Sequence, residues 1–443
     1  MKDIQNKNLL KILKTLPHEQ GIISTPEDKY FISKLVHNSF RLREKLSPNN
    51  KQRILISELS IINLIKALVI LDGIADALFI LPNSISKTEK EKLIKKVGCT
   101  HQIDNELEIS PIDKVENNIT IKDDKTKWIM ATSGTTGTPK IVVHTLNTLI
   151  DKLKKNPEKG KEYTWGLMYS PYGFAGMQVL LQSLISGSNL CTVDLSSDIS
   201  SQIDTLSKNE VNALSATPTL WRKMLFSHKI KNLSLRQITL GGEIADQRLI
   251  NALVKLFFSA NIIHIYASTE AGVGFSIKDR LEGFPLSWLN NDKIPFKLRI
   301  NKEGCLCIMP RLLPDGEEIK SRTDKDGYLN TGDVVEARNG RVIFLGRSSG
   351  AINVGGNKVH PEYIENIIRK TEEVQNVIVK GKKSSIMGQI VEATILTELN
   401  VDKKILKKKI LANCQSNLKK WQTPGIITFT DSLKENYNGK IKR

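Results

Sequence analysis

Short apolar runs of strand length alternate with runs of helix length from Arg53 to Tyr266, and that alternation is the strongest constraint on the fold. Residues 53–56 read as a strand, 61–71 as a helix, 75–81 as a strand and 88–97 as a helix with Ser86 or Thr88 as its cap. The pattern continues through strands at 164–169, 190–193, 213–216, 237–240 and 262–266, with helices near 178–185, 201–208 and 220–225 between them. A chain of this kind builds a mainly parallel sheet with helices on its faces. After about Pro295 the texture changes to short strands at 296–300, 305–309 and 341–345, separated by Glu-Gly, Asp-Gly and Asn-Gly turns, which reads as antiparallel sheet. Beyond Gly346 the chain turns lysine-rich and βααβ-like, with strands at 377–380 and 390–396. The expected architecture is α/β: a large N-terminal α/β domain over 1–347 with mainly parallel sheets and a small antiparallel β subdomain, then a small α+β C-terminal domain over 350–443. The length of 443 residues fits two to three domains at roughly 150 residues each.

One segment within this pattern carries chemistry. Residues 131–140 read Ala-Thr-Ser-Gly-Thr-Thr-Gly-Thr-Pro-Lys, directly after the apolar Trp128-Ile129-Met130. Gly134 and Gly137 free the backbone to turn several N–H groups toward one anion. Thr132, Ser133, Thr135 and Thr136 add hydroxyl donors and Lys140 adds a point charge, so the loop suits a polyphosphate. It is not a Walker A loop. That motif needs G-x-x-x-x-G-K-[ST], and counting from Gly134 puts Pro139 at its second glycine and Ile141 after the lysine.

Composition narrows the partners. The formal net charge is +18, which raises nucleic acid, but the lysines are spread along the whole chain and no aromatic-basic patch appears. The densest basic run, 403–409, reads as a helix with a lysine face and with Ile405, Leu406 and Ile410 as its apolar side. Phosphates of a cofactor, or an acidic carrier protein, would give such a basic domain a use. Five cysteines form no CxxC pair, and Cys305 and Cys307 read as alternate residues on one strand. No apolar run reaches the ~20 residues of a membrane span, and no apolar signal core follows Met1, so a cytoplasmic protein is expected.

The segment 131–140 resembles the phosphate loop of the adenylate-forming superfamily of acyl-CoA synthetases, adenylation domains and luciferases. Further segments follow in that superfamily's order. Tyr169-Ser170-Pro171-Tyr172-Gly173-Phe174-Ala175-Gly176-Met177 resembles its acyl-pocket segment, with Gly173 where members often carry a histidine or aromatic gate. Leu240-Gly241-Gly242-Glu243 resembles the loop against adenine. Tyr266-Ala267-Ser268-Thr269-Glu270 resembles the family's Tyr-Gly-x-Thr-Glu, and Thr331-Gly332-Asp333 and Gly346-Arg347 follow in place. Residues 352–365 match the start of the family's C-terminal domain, and Asn438-Gly439-Lys440-Ile441-Lys442-Arg443 resembles the segment that carries the family's lysine. Departures are Ile141 for a usual glycine, Leu146 for a usual histidine, Ala267 for a glycine, Ser349 at the hinge and Lys434 for a proline.

The resemblance implies a role for each segment. The loop, Lys140 and Thr269 would hold ATP phosphates, and Glu270 would hold Mg²⁺. Gly241, Gly242, Glu243, Ala267 and Ser268 would border adenine, with Tyr266 stacked on it. Asp333 would accept the ribose hydroxyls, with Arg347 on the ribose and phosphate side. Tyr172, Gly173, Phe174 and Gly176 would line the acyl pocket, gated by Tyr172 or Phe174. Lys440 would be the adenylation lysine on a mobile small domain that turns about Ser349, near 348–350. Gly355, Gly356 and Lys358 would form the face that admits a thiol arm. The implied activity is ATP- and Mg²⁺-dependent activation of a small carboxylic acid to an acyl-adenylate and its transfer to a thiol, coenzyme A foremost. The alternative is an enzyme that loads a carrier-protein pantetheine. A non-catalytic homologue and a nucleic-acid-binding protein are the weaker readings, and the chain is left as a monomer or a homodimer.

Overall fold

The computed structural model describes residues 7–17, 19–44, 52–82, 85–112, 125–132, 139–384, 387–397 and 400–433. Ser133, Gly134, Thr135, Thr136 and Gly137 of the phosphate loop and Lys440 lie outside the described residues, as does the side chain of Thr132.

The alternation resolves into two large sheets. The first has eight strands in the order Gly272–Ile277, Asn261–Ser268, Gln237–Gly241, Ala213–Ala216, Thr164–Leu167, Asn189–Thr192, Ile22–Ser24 and Lys29–Phe31. All its pairings are parallel except those of the two edge strands. The second has six strands, with Arg53–Ile56, Ala77–Ile80 and Lys127–Thr132 running parallel at its centre and Lys140–Thr145 antiparallel at one edge. Its central strands are apolar on both faces, as sheets covered on both sides require: Ile54, Ile56, Leu78, Phe79, Ile80 and Trp128 are all buried.

A five-stranded antiparallel sheet follows, built on Leu329–Arg338 between Cys305–Met309 and Arg341–Arg347. The last sheet draws only on strands after Ile352, and its apolar core draws only on residues 352–429. In its lysine-rich helix Lys403–Asn417 the buried residues are Leu406, Ile410 and Cys414, one per turn, while Ile405 is 55% exposed. The expected apolar side is thus rotated by one residue, because the 3.6-residue period admits Cys414 to the stripe and not Ile405.

Two close approaches fix the site's surroundings. Gly346 has φ +141°, and a Cβ there would fall 2.1 Å from Glu362 Oε2, so a glycine lets the helix Pro361–Arg369 pack onto the strand Arg341–Arg347. Arg248 donates to the carbonyls of Arg369 and, at 3.0 Å, Thr371, at the C-terminal end of that helix, where a cation complements the helix dipole.

Candidate active site

Chain order in the eight-stranded sheet reverses between Thr164–Leu167 and Ala213–Ala216. The chain moves outward on one side to Asn189–Thr192 and then returns to build the other side. Ligands of open parallel sheets bind beyond the carboxyl ends of the strands at such a reversal. A cavity of about 1880 Å³ opens there, lined by Tyr169 and Phe174 from one side of the reversal and Ser215 and Thr217 from the other.

Several expected residues meet on its wall. The strands Gln237–Gly241 and Asn261–Ser268 run side by side with Gly241 opposite Ile265, and they deliver Gly241, Gly242, Ala267 and Ser268 to the cavity. A Cβ on Gly241 would meet only the Ile265 carbonyl, at 3.9 Å, so a flat floor of backbone is left open to a planar ring. Thr269 and Glu270 follow in the turn and also line the cavity, as do Lys140, Thr331, Gly332, Arg347 and Ser349. Glu243 is instead spent locally: its Oε2 accepts the Thr219 N–H at 2.9 Å.

The antiparallel sheet supplies a charged node. Asp333 and Arg347 are cross-strand partners, and Arg347 Nε meets Asp333 Oδ1 at 2.9 Å while Arg347 Nη1 donates to the Thr331 carbonyl at 2.8 Å. Burial opposes the Arg347 charge, but Asp333 outweighs it, helped by Tyr266, Glu270 and Glu362, and the guanidinium pKa is raised. The other Asp333 oxygen accepts the Tyr266 hydroxyl at 2.5 Å. Burial and then the Asp333 charge hold the Tyr266 phenol well above its ordinary pKa, so it acts here as a donor. A carboxylate offers about four lone-pair sites, which leaves Asp333 capacity for two further donors such as ribose hydroxyls.

Further expected placements differ from the structure. The Tyr266 ring lies nearly parallel to Phe275 and Phe344, at centroid distances of 5.0 and 5.3 Å, and is not among the described residues lining the cavity. Its ring belongs to an aromatic core and its hydroxyl is spent on Asp333. Tyr172 is buried, with its hydroxyl donating to the Leu59 carbonyl at 2.9 Å and accepting the Leu59 N–H at 2.8 Å, so it staples the loop, and of the two expected gate residues it is Phe174 that lines the cavity. Gly176 packs against backbone: a Cβ would sit 2.1 Å from the Ser170 carbonyl oxygen. Gly355, Gly356 and Lys358 are exposed in the hairpin Ile352–Val359 and stand outside the cavity lining in this arrangement.

The structure also adds wall residues. Phe174, Gln178, Gln182 and Ser186 recur every fourth residue along the helix Phe174–Ser186 and all face the cavity. Opposite them stand Trp165, Ser215, Thr239, Ile263 and Ile265, from alternate positions of four adjacent parallel strands. Those two periodicities are visible in the sequence, but not which face each one presents. Gln178 Nε2 donates to the Leu149 carbonyl at 2.7 Å, while its Oε1 has no partner among the described residues.

Comparison with known families agrees with this geometry. The model for the AMP-binding enzyme matches residues 63–291, and that for the AMP-binding enzyme C-terminal domain matches residues 363–440. The chain belongs to the AMP-binding enzyme family. As a member it is an adenylate-forming acid–thiol ligase of the AMP-forming type. This AMP-binding enzyme is 24% identical over 431 residues to the 2-succinylbenzoate–CoA ligase of Lactococcus lactis, covering 91% of this chain and 92% of that one. It is 27% identical over 350 residues to the D-alanine–D-alanyl carrier protein ligase of Staphylococcus aureus, covering 73% and 71%. Among solved structures it superposes on the o-succinylbenzoate coenzyme A synthetase of Bacillus subtilis in complex with ATP and magnesium ion, with TM-score 0.73, 18% identity and 98% of each chain covered. It also superposes on an anthranilate CoA ligase in complex with anthranoyl-AMP, with TM-score 0.76, 17% identity and 98% and 95% covered. No helix among the described residues is long and apolar enough to cross a membrane.

Proposed function

We propose that this AMP-binding enzyme activates a carboxylic acid with ATP and passes the acyl group to the thiol of coenzyme A. The observation that carries the reading is the meeting of Lys140, Glu270 and Arg347 around one cavity, with Asp333 outside its lining but paired to Arg347 and Tyr266, and with an acyl side walled mainly by uncharged side chains. Among the described residues the cavity's only carboxylates are Asp151 and Glu270, and Asp151 is engaged by Lys152 and Arg311. With Glu270 given to Mg²⁺, an α-ammonium group would find no free carboxylate beside the reacting end among the described residues, which favours a non-amino acid. The carrier-protein reading is supported by the Staphylococcus aureus relative.

The chain's own residues divide the work. Asp333 would hold the ribose and the Gly241-Gly242 backbone would seat adenine, which would put the α-phosphorus near Lys140 and Thr269. The substrate carboxylate attacks that phosphorus and pyrophosphate leaves. Lys140, Arg347 and the loop N–H groups offset the charge that grows on the phosphate oxygens, and Lys440 would join them from the C-terminal segment. Among the described residues no cluster of three or more His, Cys, Asp or Glu could cage a metal. The Glu270 carboxylate and Thr269 hydroxyl are hard oxygen donors of the kind Mg²⁺ takes beside nucleotide phosphates, and Mg²⁺ there would supply Lewis-acid charge. In the second half-reaction a thiol attacks the acyl carbonyl and AMP leaves. A turn of the small domain about Ser349, in the exposed segment Ser348–Gly350, would bring Gly355 and Gly356 toward the carbonyl.

The test is acid-dependent ATP–pyrophosphate exchange over fatty, aryl, hydroxy and amino acids, followed by addition of coenzyme A or a pantetheinylated carrier protein. Exchange followed by acyl-CoA formation is expected. Lys440→Ala should abolish exchange and spare thiolysis of a supplied acyl-adenylate; exchange at the unaltered rate would remove Lys440 from the mechanism.

A further inference from the structure

The cavity does not end at the acyl gate. It continues along the helix Phe174–Ser186 to a far end lined by Lys152, Lys154, Lys155, Lys159 and Arg311, with Asp151 as the one acid among them. This end is tied to the cavity wall. Lys154 N donates to Gln182 Oε1 and Gln182 Nε2 donates to the Lys154 carbonyl, both at 2.9 Å. Gln182 lies about two turns along the helix from Ala175, or about 10 Å of rise, so the cationic end stands that far beyond the gate. Asp151 meets Arg311 at 3.4 Å and Lys152 at 3.7 Å, which leaves positive charge in excess. Lys155 is half-buried between them; burial lowers its pKa, Asp151 opposes that and Arg311 adds to it. An anion there would relieve both the desolvation and the repulsion.

We propose that this end of the cavity binds a second carboxylate on the substrate, so that the enzyme's acids are dicarboxylic, with the reacting group on the side of Lys140 and Thr269 and the distal group at Lys155 and Arg311. The inference rests on the acid-activating reading above. The cluster's position favours the acid over the thiol acceptor. It lies along the acyl helix, whereas the small domain joins the cavity at Ser348 and Ser349, and Gly355 and Gly356 lie outside the lining.

The test compares pyrophosphate exchange for a series of α,ω-dicarboxylic acids, aliphatic and aryl, with exchange for their mono-methyl esters, which match in length and lack the distal charge. The diacid is expected to win by about tenfold in kcat/KM, the scale of one charge-assisted contact. Lys155→Ala and Arg311→Ala should bring that ratio toward one, and Lys155→Arg should keep it. A ratio at or below one, or a ratio untouched by both alanine variants, overturns the proposal while leaving acid activation standing. Loss of thiolysis by coenzyme A in Lys155→Ala with the ratio intact also overturns it, assigning the cluster to the acceptor's phosphates. Absence of exchange with every acid overturns the ligase reading and this proposal together.

Discussion

The hydroxyl of Tyr266 donates to Asp333 at 2.5 Å across the junction of the parallel and antiparallel sheets. With Arg347 on the other carboxylate oxygen, the group expected to read ribose is held from two sides before any nucleotide arrives. Tyr266→Phe keeps the ring against Phe275 and Phe344 and removes only this donor. Loss of one hydrogen bond to a charged group costs about 1.5 kcal/mol, so the KM for ATP should rise about tenfold with a smaller change in kcat. Steady-state exchange kinetics measure it. An unaltered ATP KM would mean that Arg347 alone positions Asp333.

Arg248, in the helix Gln247–Leu256, reaches to the end of the helix Pro361–Arg369. Arg248→Ala should loosen that docking by about 1 kcal/mol, the scale of a cation at a helix C-terminus, without changing secondary structure. Limited proteolysis should then cut faster at the exposed turn Ser348–Gly350. An unchanged cleavage rate with an intact circular-dichroism spectrum would show that this contact does not hold the two parts together.

Alanine normally improves a helix over glycine, by about 1 kcal/mol. At Gly176 the opposite is expected, because the new methyl would enter the space of the Ser170 carbonyl at 2.1 Å. Overpacking of this kind costs about 1–3 kcal/mol, so Gly176→Ala should lower Tm. A raised Tm would show that the loop before the helix gives way freely.

Two buried histidines set a pH limit. Burial lowers the pKa of His144 and of His264 to about 4 from an ordinary value near 6.5. Their native forms stay neutral while the unfolded chain takes up protons. The stability they contribute is complete above about pH 6.5 and is lost as pH falls toward 4, by up to about 1.4 kcal/mol per pH unit for each. Denaturation midpoints across that window should fall less steeply for His144→Gln and His264→Gln than for the parent. Parallel slopes would assign the acid sensitivity to other groups.

The fold class was legible because alternation of strand and helix runs is local, and Cys305–Met309 appears in the structure with the bounds read from sequence. Most strand ends moved by one to four residues: 374–384 is paired where 377–380 was expected, because its partner Gly388–Thr397 extends the ladder past the apolar stretch. In the site, Thr269, Glu270, Asp333 and Arg347 could be singled out because each sits in a short contiguous segment that resembles a family motif. Tyr172 and Tyr266 could not be placed, because a tyrosine on a loop or strand end can turn either face or its hydroxyl to the site, and distant Leu59 and Asp333 made that choice.

The sequence by itself made the nucleotide end of this enzyme legible. The residues that would meet phosphate and metal sit in short contiguous segments, such as 131–140, 266–270 and 346–347, and the resemblance of each segment to a family motif implies its chemistry. The tertiary structure decided the acyl end. Its wall takes single residues from four strands and one face of a helix, and its cationic limit takes Lys155 and Arg311 from segments far apart in the chain. Which side of each element faces the cavity depends on sheet order and packing, and those are properties of the folded chain.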